Sequence, residues 1–220
     1  MNSNKAYDIL DLIARKNTVS PGDTNILIRL SHHNDSEIRA YAAELLVLAS
    51  GAEAESALTS LTGDNDEGVR VNACYSLSAF PSINTYEKLC ECAVNDSSPL
   101  VRKFALLSLA DIMNNINADK GNLRDLFLKS SQNSDAAISS AGYRGLYMLG
   151  HKEYLNNLIE LTKAKNYRDR CSVVNILGDI ISNENKHFII SALKNLRAKE
   201  QSEAVNSAVD KIIDADMIIL

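Results

Sequence analysis

Apolar residues recur along this chain in a pattern that predicts short amphipathic helices repeated every 31 to 37 residues. Each copy can be aligned on one anchor position. The residues one before, three after and seven after the anchor are apolar or small in nearly every copy, and these offsets share one face of an α-helix. Asp169 interrupts this buried stripe in the sixth copy. The anchors are Tyr7, Arg39, Arg70, Arg102, Ser139, Arg170 and Val205.

A second apolar pattern lies between successive anchors, as at Leu27 and Leu30 or at Leu158 and Leu161. Gly and Pro residues separate the two patterns, for example at Pro21-Gly22. Each repeat is therefore predicted to be a pair of helices, with the anchor in the first helix and the other pattern in the second helix. Such self-similarity predicts an all-α fold, an α-solenoid of about six to seven helix pairs, in a single domain over residues 1–220.

Acidic residues stand where N-terminal caps of the first helices are expected. Asp35, Asp66 and Asp135 lie four residues before their anchors, where a carboxylate can accept hydrogen bonds from free amides of the first turn. Asn166 can do the same. In the copy around Arg102, the extra Ser-Pro dipeptide moves the expected cap to Asp96.

The repeated runs resemble a known family. Asn-Asp-Ser-Glu-Ile-Arg at 34–39 and Asn-Asp-Glu-Gly-Val-Arg at 65–70, each followed by Ala and a later Leu, are similar to HEAT-like repeats of the short, phycobilisome-lyase type. The resemblance covers nearly the whole chain and is strongest over residues 34–115. It implies a HEAT/armadillo-like superhelix in which acidic residues and the repeated arginines form a ladder between successive loops. The signatures of tetratricopeptide and ankyrin repeats are absent.

Charge and composition narrow the class of partner. The chain holds 23 basic and 28 acidic side chains, and residues 1–75 account for 6 and 11 of them. A general nucleic-acid binder needs clustered Lys and Arg, so nucleic acid is not expected as a partner. A local basic strip, interpreted as a solvated helix end and loop, comprises Lys163, Lys165, Arg168 and Arg170.

No constellation of residues predicts catalysis or metal binding. The sequence lacks a nucleophile elbow, a P-loop, a zinc-protease motif and a dinucleotide-binding glycine motif. Cys90 and Cys92 point to different sides of a helix, so the four cysteines are interpreted as small apolar residues in a reducing compartment. His32, His33, His151 and His187 are interpreted as surface residues. We therefore expect a cytoplasmic bacterial protein without catalytic residues, metal or cofactor, and without a membrane or small-molecule partner.

The concave face of a solenoid is the most extended surface on which a partner could bind. Positions between the buried leucines of the second helices project onto this face in two polar rows, which carry carboxylates and small polar groups and predict a mildly acidic groove. One row is Arg29, Ser60, Glu91, Asp125, Glu160 and Asn195, and the other is Asn25, Ser56, Glu87, Asn122, Asn156 and Ser191. A protein partner with a basic surface suits such a groove. The residues predicted to bind it are Arg29, Glu87, Glu91, Asp125, Asn156 and Glu160.

Two classes of function remain open. The first is a non-enzymatic protein-binding module, for example a bacterial immunity or antitoxin-type protein or a scaffold. The second is a HEAT-like enzyme or enzyme-assisting protein, similar to bilin lyases or, with less support, to alkylpurine DNA glycosylases. The absence of Trp and the 5% aromatic content argue against the glycosylase.

Aromatic side chains of the first helices are expected to pack between repeats, with hydroxyl groups that reach solvent. They are Tyr41, Tyr75, Phe104, Tyr143 and Tyr147. The last four residues, 217–220, form an apolar tail that either caps the solenoid or mediates association.

Overall fold

The structure of the protein, a computed structural model, describes the backbone of residues 2–218 and the side chains of residues 2–215. Within residues 2–218 every regular element is helical. Short 3₁₀ turns, Leu46–Leu48 and Leu77–Ala79, extend two of the helices. The α-helices are α1 Ser3–Ala14, α2 Pro21–Leu30, α3 Ser36–Leu45, α4 Ala52–Leu61, α5 Glu67–Ser76, α6 Ile83–Asn95, α7 Pro99–Ile112, α8 Lys120–Ser131, α9 Ala136–Met148, α10 Tyr154–Leu161, α11 Tyr167–Asp179, α12 Lys186–Arg197 and α13 Glu203–Ile218.

The odd-numbered helices carry the anchor positions and are called the first helices. The even-numbered helices carry the other apolar pattern and are called the second helices. This alternation confirms the predicted all-α fold and the number of helix pairs. The chain divides into two compact units, an N-terminal unit of residues 1–120 and a C-terminal unit of residues 121–220. That the chain forms a single domain stays a prediction.

In the N-terminal unit, the predicted stripe of the first helices forms the core. Ile38, Ala42 and Leu46 have no exposed surface, and their equivalents in α5 and α7 are also fully buried. Helix α5 packs between α3 and α7. In α3, α5 and α7 the alanine three positions after the anchor lets the neighbouring backbone approach closely. The Asn72 side chain then donates a hydrogen bond to the Ala40 carbonyl, 2.9 Å away, and joins α5 to α3.

In the C-terminal unit, glycine is needed at this small position. A Cβ atom on Gly142 would lie 2.5 Å from the Ser131 nitrogen and 2.8 Å from the Phe127 carbonyl oxygen, closer than atoms pack. One turn on, Gly145 faces the Phe127 ring, which is fully buried. Helix α9 therefore lies directly against the end of α8. Helix α11 packs on both α9 and α13.

Most of the predicted caps are confirmed. Asp35, Asp66, Asp135 and Asn166 each accept a hydrogen bond from an amide in the first turn of their helix.

The prediction of Asp96 as the cap of α7 is wrong. Ser98 caps α7, accepting from the amides of Leu100 and Val101 at 3.1 and 3.3 Å. Pro99 favours this register, because proline suits the first helical position and fixes the cap one residue before it. Asp96 instead accepts a hydrogen bond from the Ser98 amide, 2.8 Å away.

The aromatic residues divide between core and surface. Tyr147 is buried, and Tyr143 stacks on Tyr154. The Tyr41 hydroxyl donates to Asp11 on the preceding first helix, whereas Tyr75 stays half exposed, with its ring edge against Phe104. The predicted apolar tail at 217–220 lies outside the residues whose side chains are described.

The four cysteines are free thiols, and Cys74 and Cys92 are buried. Among the described residues, no cluster of His, Cys, Asp or Glu has the arrangement of a metal site. No helix within the described part of the chain has both the length and the apolar character needed to cross a bilayer.

Candidate functional site

The repeated arginines form the ladder that the family resemblance implied, and their partners are carboxylates other than the predicted helix caps. Arg39 binds Asp64 through two hydrogen bonds of 2.8 Å, and Arg70 binds Asp96 at 2.9 and 3.1 Å. In the C-terminal unit Arg170 binds Glu200 at 2.6 and 2.8 Å. Each carboxylate lies in the loop that follows the next second helix along the chain. The acidic residues that lie four positions before the anchors, such as Asp66, cap their helices instead.

Each ladder arginine also braces its own loop. The remaining terminal nitrogen donates to the two carbonyls five and six residues earlier, as Arg170 does to Lys165 and Ala164 at 2.9 and 2.7 Å. Arg102 makes the same loop contacts, with the Asp96 carbonyl at 2.7 Å. These arginines are therefore committed to the fold, and no free guanidinium is available there for chemistry.

The ladder changes the acidity of its carboxylates. Hydrogen bonds from Arg170 hold the pKa of Glu200 at about 2, and bonds from Arg39 hold the pKa of Asp64 below its usual range. Burial alone would raise the pKa of Asp96, but hydrogen bonds from Arg70 and the Ser98 amide outweigh it and lower that pKa. All three groups are therefore charged and bonded at neutral pH, which is typical of structural ion pairs.

In the N-terminal unit, the predicted partner-binding residues lie on exposed faces of second helices. Arg29 is on α2, and Glu87 and Glu91 are on α6. Between α2 and α4 lies an open depression of about 670 Å³, lined by residues of the same polar rows, Asn25, Ser56 and Ser60, together with Glu53 and His32. The rows predicted from the sequence therefore do form a polar, solvent-exposed surface in this unit.

In the C-terminal unit, Asp125 on α8 and Asn156 and Glu160 on α10 are likewise exposed. A groove of about 680 Å³ runs between α10 and α12. Glu160 lines it, and so do Ser191 and Asn195, which belong to the predicted rows. The groove also contains residues that the sequence analysis did not select, notably Phe188, His187 and Lys199. The signal in the sequence that could have located the groove is the recurrence of its lining residues every four positions along α12, continued by Lys199 in the turn after this helix.

The predicted acidity of these faces is partly offset by basic neighbours. Glu91 pairs with Lys88 of the same helix at 2.7 Å, and Glu160 pairs at 2.7 Å with Lys163 in the turn after α10. Asp125 lies 3.4 Å from the adjacent Arg124. These pairs are largely exposed, so each contributes little to stability and can open for a partner.

The histidines and the basic strip that the sequence analysis considered contact other parts of the fold. The His33 ring accepts a hydrogen bond from the Asp35 amide, and His151 lies 3.5 Å from Glu153. The basic strip is not continuous, because Arg170 belongs to the ladder and Lys163 pairs with Glu160.

Comparison with known proteins agrees with the repeat pattern. Residues 24–110 match the family model of HEAT repeats. A chain from the complex of CpcE and CpcF of phycocyanin lyase, from a Nostoc strain, is similar over 96% of this chain and 88% of that chain, with a TM-score of 0.67 and 16% identity. The Escherichia coli protein YibA is similar over 100% of this chain and 81% of its own, with a TM-score of 0.56 and 16% identity. No curated protein matches the sequence. Residues 24–110 are therefore similar in sequence to HEAT repeats, and the chain has the α-solenoid fold of HEAT-like repeat proteins.

Proposed function

We propose that this protein is a non-enzymatic protein-binding module whose second helices hold a partner that presents basic groups. The observation that carries the proposal is the exposed polar row on successive second helices. Its members take no part in the ladder or in the caps, so their side chains are available to a partner. They are Arg29, Glu87 and Glu91 in the N-terminal unit and Asp125, Asn156 and Glu160 in the C-terminal unit.

Electrostatics supports a basic partner, above all for the N-terminal unit. Residues 1–120 hold 10 basic and 16 acidic side chains, a net charge of −6, whereas residues 121–220 hold 13 and 12. Such a field steers oppositely charged partners and raises the association rate. A lysine or arginine of the partner can replace Lys88 beside Glu91 at small cost, because exposed ion pairs are weak.

Two roles fit this description of the module. An immunity or antitoxin-type protein of a bacterial cytoplasm would neutralise a basic toxin, and a scaffold would join a partner to other proteins. Both rest on fold-level analogy, so the identity of the captured partner decides between them.

Charge reversal tests the proposal. The tagged full chain and the variant E87K/E91K/D125K are used to capture partners from cells that express the protein. At low salt we expect the variant to lose a partner that the wild type retains, or to bind it at least tenfold more weakly. The reason is that several favourable charge contacts become repulsive.

A matched control is the variant D8K/E44K/D214K, which makes the same change in net charge at exposed positions of first helices. It should retain the partner. Equal affinity of wild type and the second-helix variant at low salt would overturn the assignment of this face.

A role in chromophore attachment is the second candidate, favoured by the similarity to a chain of phycocyanin lyase. In that case the protein would assist the transfer of a bilin to a cysteine of another protein. Co-expression with bilin biosynthesis tests it, since a bound bilin gives the purified protein visible absorption. A colourless protein that still captures its partner would favour the binding module.

A further inference from the structure

We propose that the groove between α10 and α12 binds an extended acidic peptide segment, with an apolar side chain at the Phe188 end and a carboxylate at the end lined by Lys163 and Lys199. This inference rests on the proposed protein-binding function and names the chemistry that one part of the second-helix surface recognises. It differs from the basic partner surface expected for the carboxylate rows, because the groove itself has other charges.

The shape of the groove fits an extended peptide. Along α12 its lining residues recur every four positions, at 187–188, 191–192 and 195–196, and Lys199 continues the spacing in the turn after the helix, so the groove follows the whole helix. Twelve helical residues span about 18 Å, which corresponds to about five or six residues of extended chain. A volume of about 680 Å³ suits such a segment better than a single ion.

The two ends of the groove differ in character. Phe188, near the start of α12, is 64% exposed, the most exposed large apolar side chain among those described. Exposed aromatic rings that line a groove are favourable contacts for an apolar side chain of a partner. Towards the floor, Ile159, Ala192 and Leu196 are half buried and continue the apolar surface.

The opposite end is cationic. The ladder pair of Arg170 and Glu200 ties the loop after α10 to the loop after α12, and therefore places Lys163 and Lys199 at the same end of the groove. Lys163 is exposed and pairs with Glu160, a contact that a ligand carboxylate can replace.

The charge balance of the groove favours an acidic ligand. The cations Lys163, Arg170 and Lys199 outnumber the carboxylates Glu160 and Glu200. Arg170 and Glu200 neutralise each other in a nearly buried pair, which leaves Lys199 as the excess charge. A carboxylate is the complementary group.

Polar side chains between the two ends can bind a peptide backbone. Ser191 and Asn195 are exposed on the stripe of α12, one turn apart, and both can donate and accept hydrogen bonds. Backbone groups of an extended segment repeat at a comparable spacing, so these residues can satisfy them without fixing the ligand sequence.

Selection from a peptide library tests this proposal. Displayed random heptapeptides are selected on the full-length protein, and the most enriched peptide is then labelled with fluorescein and titrated by fluorescence anisotropy. We expect enriched sequences to carry an acidic residue three to five positions from an apolar residue. The variants K163E/K199E and F188S should each weaken binding of the enriched peptide at least tenfold.

A control variant accompanies the titration. The variant K165E/K194E makes the same charge change at exposed lysines outside the groove lining, and should bind within about twofold of the wild type. The substituted side chains are all exposed, and circular dichroism checks that each variant is folded.

The outcomes separate this proposal from the proposed function. Enrichment of basic peptides, no enrichment, or binding that ignores the groove variants would overturn the groove assignment. Should partner capture still depend on Glu87, Glu91 and Asp125 in that case, the binding module would stand without this groove. If the peptide binds the groove as expected but partner capture does not depend on Glu87, Glu91 and Asp125, the groove assignment would stand and the role proposed for these carboxylates would be wrong.

Discussion

In each arginine–carboxylate pair, or rung, of the ladder, one guanidinium binds two loops. Arg170 donates two hydrogen bonds to Glu200 and two to carbonyls of its own loop. Lysine could not replace it, because a compact ammonium group lacks the planar fork that reaches both sets of acceptors. The residues that looked most like catalytic candidates in the sequence are thus the ones most fully used by the fold.

The low pKa of Glu200 makes this rung sensitive to acid. We expect R170Q to lower the free energy of unfolding by about 2 kcal/mol at pH 7, because a nearly buried carboxylate loses its charged donors. The folded-state pKa is about 2, against 4.5 as the usual value, so the stabilisation is complete above about pH 4.5 and disappears as the pH falls towards 2.

Urea unfolding at pH 7 and at pH 2.5 measures this difference. The gap between wild type and R170Q should be large at pH 7 and shrink at pH 2.5. K165Q, at an exposed lysine in the same loop, should show little gap at either pH. A gap that is independent of pH would contradict the role given to Glu200.

At the scale of the helix, the sequence predicted which elements form and how they begin, with one informative error. The offset pattern around the anchors located the first helices because burial of one face dictates helix periodicity. It misplaced the cap of α7, since the extra Ser98-Pro99 dipeptide shifted the register and both Asp96 and Ser98 can cap a helix. The structure resolves this choice, because Asp96 is already bound by Arg70.

The cap of α7 gives a test at this scale. S98A should lower the free energy of unfolding by about 1 to 2 kcal/mol, because the amides of Leu100 and Val101 lose their acceptor and the contact with Glu67 is lost. S97A, at the exposed neighbouring residue, should change it by less than 0.5 kcal/mol. Equal effects of the two substitutions in chemical denaturation would argue against Ser98 as the cap.

At the scale of the whole molecule, burial of the repeated stripe declines towards the last helix. The three stripe positions of α3 and α5 are fully buried, whereas in α13 Ala204 is exposed and Ala208 and Ile212 are only half buried. In stacked repeats each helix pair is stabilised by its neighbours, so a terminal repeat has fewer stabilising contacts. Stability should therefore differ along the chain.

Hydrogen–deuterium exchange measures this gradient. We expect backbone amides of α3 and α5 to exchange at least tenfold more slowly than those of α13, because local opening requires less free energy where fewer apolar contacts are lost. Peptides from α1, the other terminal helix, provide a comparison within the same experiment. Uniform protection across all helices would show that the chain unfolds as one cooperative unit instead.

The sequence predicted the repeats better than the surface they build. The exposed positions of Glu87, Glu91 and Glu160 followed from helix periodicity, but their pairing with nearby lysines depends on side-chain conformation. The sequence analysis did not locate the groove of α10 and α12, since its lining combines residues from three helices and two loops. The ladder carboxylates had a detectable signal, an acidic residue two positions before the cap, as in Asp64 before Asp66.

The ladder also has a consequence for how the chain can change in length. It fixes the loops that follow second helices, which are three to five residues long, such as 62–66 and 198–202. The ladder pairs of Arg39, Arg70 and Arg170 do not involve the loops that follow first helices, and the longest of these loops, 113–119, has seven residues. Insertions during evolution, or a reporter peptide placed by design, are therefore best tolerated at 113–119, where added residues leave every arginine–carboxylate pair in place.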